Sequence, residues 1–117
     1  MDEARARELL RAERERVERA IAAVERPDPD QGDDGEPHLE QHIADQGSDV
    51  FDKELAEGHL EDLRDQLAAV ERAEQRLADG TYGLSIKSGV PIPDARLEAV
   101  PTAERTVEEQ AAWERGR

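Results

Sequence analysis

The feature that most constrains the fold of this chain is an apolar stripe in its middle third. Within residues 48–79, apolar side chains and one acid recur at steps of three and four: Leu60, Leu63, Leu67, Val70, Glu74 and Leu77. This spacing is that of a heptad seam with one polar position, and it places the stripe on one side of an α-helix. The pattern predicts a helix over 48–79, with Ser48 as its N-cap and Gly80 closing its C-terminus.

A second apolar stripe precedes the first. Residues 2–26 carry Leu10, Val17, Ile21 and Val24 at helical spacing, and Pro27 ends the run. Two helices with one stripe each can cover one another as an antiparallel pair. The first part of their connection, residues 27–44, contains three prolines, two glycines and six acids, without Lys or Arg. We therefore predict a coiled-coil hairpin over residues 1–80 with an acidic tip loop at 27–47.

The remaining segment, residues 81–117, has a different character. Glycines and prolines interrupt any long helix, and apolar residues alternate with others at Leu84, Ile86, Val90 and Ile92. This pattern predicts a small lobe with two short strands, a turn near Lys87–Gly89 and a C-terminal helix over 103–116. The predicted fold class is mainly α: a long antiparallel coiled-coil hairpin with a small C-terminal lobe.

Charge and cysteine content exclude several classes of function. The formal net charge of −14 disfavours direct binding to nucleic acid or to an anionic membrane, and it favours a partner with a basic protein surface. The absence of cysteine excludes disulfides and thiolate metal sites. Because the sequence has neither an apolar signal core nor a run of membrane-spanning length, we expect a cytoplasmic protein.

The framing residues of the C-terminal segment resemble a known family. Their order and spacing are similar to those of the zinc-finger lobe of the DksA/TraR family: Asp79-Gly80-Thr81-Tyr82-Gly83, Gly89, Ile92, Arg96-Leu97-Glu98-Ala99, Pro101 and Ala103. Upstream, Ala44-Asp45, Ser48-Asp49 and Phe51 resemble the start of the family's second coiled-coil helix. With the hairpin included, the resemblance covers nearly the whole chain. It implies a transcription regulator, not an enzyme, that binds RNA polymerase with its coiled-coil tip in the secondary channel.

The resemblance also reveals a departure. The family's four zinc-ligating positions hold Ser85, Ser88, Thr106 and Glu109 in this chain. Neutral hydroxyls are poor zinc ligands, so we predict a degenerate zinc finger with no metal and no other cofactor. The lobe is then expected to hold by apolar packing alone, from Leu84, Ile86, Val90, Ile92, Leu97, Val100, Val107 and Trp113. Since a structural zinc contributes roughly 10 kcal/mol or more in zinc-finger peptides, we expect modest local stability.

The family's tip commonly carries two acids and an alanine, as Asp-x-x-Asp-x-Ala. Counting back from Tyr82 places Asp45 at the second acid, His42 at the first and Gly47 at the alanine. Asp45 is therefore the main functional candidate, with Asp49 as its neighbour. A carboxylate there can bond basic channel residues or water on the polymerase's Mg²⁺. An acid at a helix N-terminus, favoured by the helix dipole, is the simpler alternative.

The sequence also offers a lobe-orienting segment, a histidine pair and an alternative function. By the same resemblance, Arg96, Leu97 and Glu98 are expected to orient the lobe against the base of the hairpin. His38 and His42 are four residues apart, as in some metal sites, but no third nitrogen donor is near them. Because the tip departs from the family, a helical adaptor or antitoxin-like protein that binds another basic protein is the alternative function. We expect a monomer, although a long seam can also pair between chains.

Overall fold

A computed structural model describes residues 1–25 and 48–116, and within these ranges the chain forms four helices. The helices are α1 (Glu3–Glu25), α2 (Ser48–Asp79), α3 (Asp94–Ala99) and α4 (Val107–Arg115). The described part is mainly α, and the two long helices confirm the predicted ones to within a residue. The short α3 was not predicted. The expected tip loop, residues 27–47, lies outside the described residues.

The chain divides into two compact units. The first comprises residues 1–15 and 67–117, and the second comprises residues 16–66. Both long helices contribute residues to each unit, so the division falls within the helices and not at their ends. The predicted boundary after Gly80 stays a prediction.

Within the first unit, the start of α1 packs against the end of α2. Ala6 and Leu10 of α1 and Val70 and Ala73 of α2 are all buried. The one polar position of the predicted seam, Glu74, accepts two hydrogen bonds from the Arg14 guanidinium, at 2.7 and 3.0 Å.

The same contact explains why the seam tolerates an acid. The Arg14 hydrogen bond holds the pKa of the Glu74 carboxyl below its usual value, against the opposing effect of burial. Leu10 of α1 and Leu77 of α2 line the same groove, and Arg14 pairs with Glu74. Residue numbers therefore rise along α1 in the direction in which they fall along α2. In this unit the two helical segments are therefore antiparallel.

The second unit repeats this arrangement with other residues. Val17 and Leu63 are buried in it, while the side chains of Arg16 and Gln66, and of Arg64 and Glu25, are hydrogen-bonded at 2.8 Å. Those polar pairs are exposed and contribute little free energy, so apolar burial holds this unit together.

The lobe begins where α2 ends. Gly80 has φ +81°, and the next amide, Thr81 N–H, donates to the carbonyl of Arg76 at 2.8 Å. This is the Schellman arrangement, which only glycine adopts without strain, and it confirms the predicted helix end. The lobe's core is small: Ile92, Leu97 and Ala103 are buried, and Tyr82 packs against them.

The two predicted strands are not formed within the described residues. A single antiparallel bridge joins Leu84 and Pro91, supported by hydrogen bonds from Ser85 N–H to Val90 O and from Ile92 N–H to Gly83 O. Gly83 and Gly89 have φ of +85° and +78°, so each of the two segments leaves the extended conformation close to the bridge, and the pairing stops there.

Thr106 is the N-cap of the last helix. Its Oγ1 accepts from the Glu109 amide, and its own amide donates to the Glu109 carboxylate, which together form a capping box. Helix α4 therefore starts at Val107 and not at residue 103. None of the helices described here is long and apolar enough to cross a membrane.

Replacing Leu63 with Ala should lower the free energy of unfolding by about 2–5 kcal/mol, because this side chain is only 2% exposed and its removal leaves a cavity. Leu67 is only partly buried, so Leu67→Ala should cost less. The control is Asp65→Ala on the exposed side of α2, which should change stability by less than about 0.5 kcal/mol. Urea denaturation measures all three, and equal losses from Leu63→Ala and Asp65→Ala would show that the helix face is assigned wrongly.

Candidate functional site

The four positions at which the family resemblance places zinc ligands lie together in the lobe. Ser88 Oγ donates to Glu109 Oε2 at 2.5 Å, and Ser85 also hydrogen-bonds the Glu109 carboxylate. The Thr106 amide donates to Glu109 Oε1 at 3.0 Å. We call Ser85, Ser88, Thr106 and Glu109 the polar cluster. It links the turn at residues 85–88 to the start of α4.

A tight turn positions the serine side of the polar cluster. Ser85 is buried, at 5% exposure, and its Oγ accepts from the amides of Lys87 and Ser88 at 3.0 and 3.2 Å. The turn closes with Gly89, whose φ is +78° and whose amide donates to Ser85 O at 2.9 Å. Backbone amides thus converge on the Ser85 hydroxyl, which leaves its proton available to Glu109.

The electrostatics of the polar cluster favour a charged carboxylate. Hydrogen bonds from Ser85, Ser88 and the Thr106 amide lower the pKa of Glu109 to about 2, against a small opposing effect of desolvation. A carboxylate that accepts several hydrogen bonds is stabilised in its ionised form. Glu109 is therefore an anion at neutral pH and the common acceptor of the polar cluster.

The polar cluster does not fit a structural zinc ion. Three of its side chains are neutral hydroxyls, and the fourth is committed to the hydrogen bonds just described. Across the part of the chain that the structure describes, no group of three or more His, Cys, Asp or Glu side chains could hold a metal ion.

The prediction that apolar packing alone holds the lobe is wrong. Of the eight apolar candidates, only Ile92 and Leu97 are buried. The other six are exposed by more than a third: Leu84, Ile86, Val90, Val100, Val107 and Trp113. Turns and a short helix leave too little surface facing inward to bury them, so polar contacts contribute to holding the lobe.

A second polar contact, at Glu104, was missed by the sequence analysis. Its carboxylate accepts from Arg72 at 3.0 and 3.2 Å and from Arg76 at 2.9 Å, while its backbone carbonyl accepts from Ile86 N–H at 2.9 Å. Burial raises the pKa of Glu104, but Arg72 and the nearby charges of Arg76 and Arg105 outweigh that effect and hold it below its usual value. The available signal was the spacing of Arg72 and Arg76, which places both guanidinium groups on one helix face.

The residues expected to orient the lobe make three different contacts. Arg96 Nε donates to the carbonyl of Arg105 at 2.8 Å, and Leu97 lies in the lobe's core. Glu98 accepts two hydrogen bonds from Arg5 of α1, at 2.6 and 2.9 Å, and they hold the pKa of its carboxyl below its usual value. These contacts link α3 to Arg105, in the segment before α4, and to Arg5 of α1. That these residues orient the lobe stays a prediction.

The tip residues are almost entirely outside the described part of the chain. Asp45, His42 and Gly47 lie in the segment 26–47, as does His38. Asp49 lies in the first turn of α2, and its role stays a prediction.

Glu109→Gln should lower the melting temperature at neutral pH, because the polar cluster loses its charged acceptor. The folded-state pKa of about 2 lies below the usual 4.5, so the folded state binds fewer protons than the unfolded state. The carboxylate's contribution is complete above about pH 4.5 and is lost as the pH falls toward 2. The difference between wild type and variant, measured by thermal melts, should therefore shrink on acidification.

The control for that experiment is Glu108→Gln, one residue earlier in the same exposed first turn of α4. If Glu108→Gln and Glu109→Gln lower the melting temperature equally, the helix dipole and not the polar cluster explains the loss. A chelator should leave the wild-type melt unchanged, since the side chains of the polar cluster do not fit a structural zinc ion.

Glu104→Gln should lower the free energy of unfolding by about 1–3 kcal/mol, because two arginines lose a charged and largely buried partner. Glu98→Gln is the matched control: it also meets an arginine through two hydrogen bonds, but at an exposed position, so its loss should be measurably smaller. A Glu104 loss no larger than the Glu98 loss, in denaturant titrations, would contradict the role assigned to Glu104.

Comparison with known proteins gives related sequences and a related fold. No protein-family model matches the chain. General stress protein 16O of Bacillus subtilis is 47% identical over 73 residues, which are 62% of this chain and 45% of that protein. The RNA polymerase-binding transcription factor DksA of Caulobacter vibrioides is 38% identical over 73 residues, 62% of this chain and 51% of that protein. The chain thus spans about half the length of these curated relatives.

The fold comparison covers more of the chain. The structure of transcription factor DksA2 from Pseudomonas aeruginosa matches 97% of this chain and 83% of its own, with a TM-score of 0.72 and 27% sequence identity. The chain has no cysteine, and its polar cluster occupies the expected ligand positions. In sequence and fold the chain is therefore DksA-like, and it has no zinc-finger cysteines.

Proposed function

We propose that this chain binds RNA polymerase and regulates transcription, with the tip of an antiparallel coiled-coil hairpin inserted in the secondary channel. The observation that carries the proposal is the fold match to the transcription factor DksA2 over nearly the whole chain. It is supported by the sequence match to a DksA whose name states that it binds RNA polymerase.

The charge distribution supports a basic partner at the tip end of the hairpin. Residues 27–62 contain thirteen acids and a single cation, Lys53, and so carry most of the net charge of −14. In α2, residues 52–59 are all exposed, so the acids of that helical stretch are open to solvent. An acidic, unburied helix end favours association with a basic channel through long-range attraction.

The proposed roles divide between tip and lobe. Asp45, with Asp49 nearby, would accept hydrogen bonds from basic channel residues or from water on the polymerase's Mg²⁺. His42 and Gly47 stand where the family has an acid and an alanine, so the effect on transcription can differ from the family's. Arg96, Leu97 and Glu98 would hold the lobe in place, through the Arg105 carbonyl, the core and Arg5 respectively.

The remaining parts of the proposal follow from the partner. The protein would act in the cytoplasm as a monomer, without direct contact to nucleic acid, since its acidic surface repels phosphates. The alternative function is that of a helical adaptor or antitoxin-like protein that binds another basic protein. This function would be favoured if the chain does not bind polymerase.

In-vitro transcription with wild type and Asp45→Asn tests the proposal. The substitution keeps the side-chain shape and removes one charge, so folding should change by no more than about 1 kcal/mol. It should weaken the effect on transcription much more than it weakens polymerase binding. Asp65→Asn, an equivalent change at an exposed position of α2 outside the acidic stretch of residues 27–62, should leave both unchanged.

A polymerase-binding assay at low and high salt accompanies the transcription assay. Affinity should fall as salt rises, because ions screen the attraction between an acidic tip and a basic channel. Absence of binding at low salt would reject polymerase as the partner. Full activity of Asp45→Asn would instead reject Asp45 as the functional acid and leave Asp49 or the acids of residues 28–36.

A further inference from the structure

The lobe carries an exposed groove that its own core does not use. The groove has a volume of about 340 Å³ and is lined by Ile86, Lys87, Arg105, Ala112 and Trp113. Ile86 is 51% exposed and Trp113 is 44% exposed. Apolar patches rimmed by polar groups mark interaction sites. We call this surface the Trp113 groove.

The Trp113 ring is in contact with the cationic side chain of Arg105. The guanidinium carbon of Arg105 lies 4.4 Å from the centroid of the indole ring, within the range of a cation–π contact. Trp113 also lines a second groove of about 350 Å³, which contains Arg96 and Val100. The indole ring is therefore part of both grooves, and Arg105 lies over it.

The charges of the Trp113 groove are opposite to those of the chain as a whole. Its lining has two cations and no acid. Within residues 1–25 and 48–116, neither Lys87 nor Arg105 forms an ion pair. Six other arginines of the first unit do: Arg5, Arg7, Arg11, Arg14, Arg72 and Arg76. Residues 81–117 contain five cations and six acids, against eleven cations and twenty-four acids in residues 1–80. The groove is thus a locally basic, apolar surface on a strongly acidic protein.

We propose that the Trp113 groove docks an acidic amphipathic segment of another protein. An apolar side chain of that segment fills the space between Ile86 and Trp113, and a neighbouring carboxylate pairs with Lys87 and Arg105. Trp and Arg are among the residue types that most often dominate the binding energy at interfaces. This docking goes beyond the polymerase channel, because it uses the lobe and not the acidic tip.

Two other occupants are less compatible with these observations. A second copy of the chain carries a net charge of −14, and like net charges of that size oppose self-association. Nucleic acid could stack a base on an exposed tryptophan, but Arg105 already covers one ring face and the surrounding protein repels phosphates. Both occupants are outcomes of the experiment below.

Trp113 is the chain's only tryptophan, so its fluorescence reports directly on the groove. The probe is a synthetic peptide of about 14 residues, long enough for almost four helical turns, with leucines on one face and glutamates beside them. We expect a saturable change in Trp113 emission with a Kd below about 1 mM. A peptide with lysine in place of every glutamate should not bind.

The chain's two lysines provide a matched pair of variants. Lys87→Glu reverses a charge in the groove and should weaken peptide binding about tenfold at low salt. Lys53→Glu makes the same change on α2, outside the groove, and should leave the affinity unchanged. Lys87 is exposed, so both variants should keep the wild-type melting temperature. Ala112→Arg, which fills the groove without touching a lysine, should also weaken binding.

Carbodiimide coupling supplies a second measurement. It joins a lysine amine to a carboxylate in contact with it, so mass spectrometry should find the peptide's glutamate linked to Lys87 and not to Lys53. Absence of a saturable emission change, or equal losses in Lys87→Glu and Lys53→Glu, would overturn the proposal. If a single-stranded oligonucleotide binds with equal affinity, the partner is a nucleic acid and not an acidic peptide. If the chain dimerises in sedimentation equilibrium and Lys87→Glu abolishes the dimer, the partner is a second copy of the chain.

Discussion

The Glu109 carboxylate connects the turn at residues 85–88 to the start of α4, and the small C-terminal lobe depends on that connection. In the family that this chain resembles, zinc-ligating cysteines occupy the corresponding positions. Here Ser85, Ser88 and the Thr106 amide donate hydrogen bonds to one charged acceptor. Charge-assisted hydrogen bonds are the strong class of protein hydrogen bond, yet several of them stabilise less than a metal with four ligands. The lobe therefore also needs the Glu104 contact and the core around Leu97.

Polar contacts also connect the lobe to the long helices. Arg72 and Arg76 of α2 meet Glu104, and Arg5 of α1 meets Glu98. Of these, the Glu104 contact is the more enclosed, since its carboxylate side chain is only 16% exposed. Paired charges that are shielded from water interact more strongly than exposed ones, and their loss leaves a buried charge without a partner. Because the apolar core of the lobe is small, we expect these ion pairs to help hold the lobe against the two helices.

Much of the architecture could be predicted because it depends on local periodicity. The stripe of Leu63 and Val70 predicted α2, and Gly80 marked its end, because helix formation and its termination depend on residues within a few positions of each other. The lobe was predicted less well. Two strands were expected around Leu84 and Ile92, but the left-handed backbone of Gly83 and Gly89 interrupts the extended conformation in both segments, so only one bridge forms.

The sequence by itself determined the two long helices, the surplus of acids, the lack of cysteine, and which residues stand at the former ligand positions. It could not determine what those residues do, because Ser85 and Glu109 are twenty-four positions apart and their contact depends on how the intervening turns pack. For the same reason, only the tertiary structure identified Glu104 as the partner of two arginines and left Trp113 exposed beside Arg105. Periodicity is a local property that can be read along the chain, whereas burial and the pairing of charges exist only once distant segments meet.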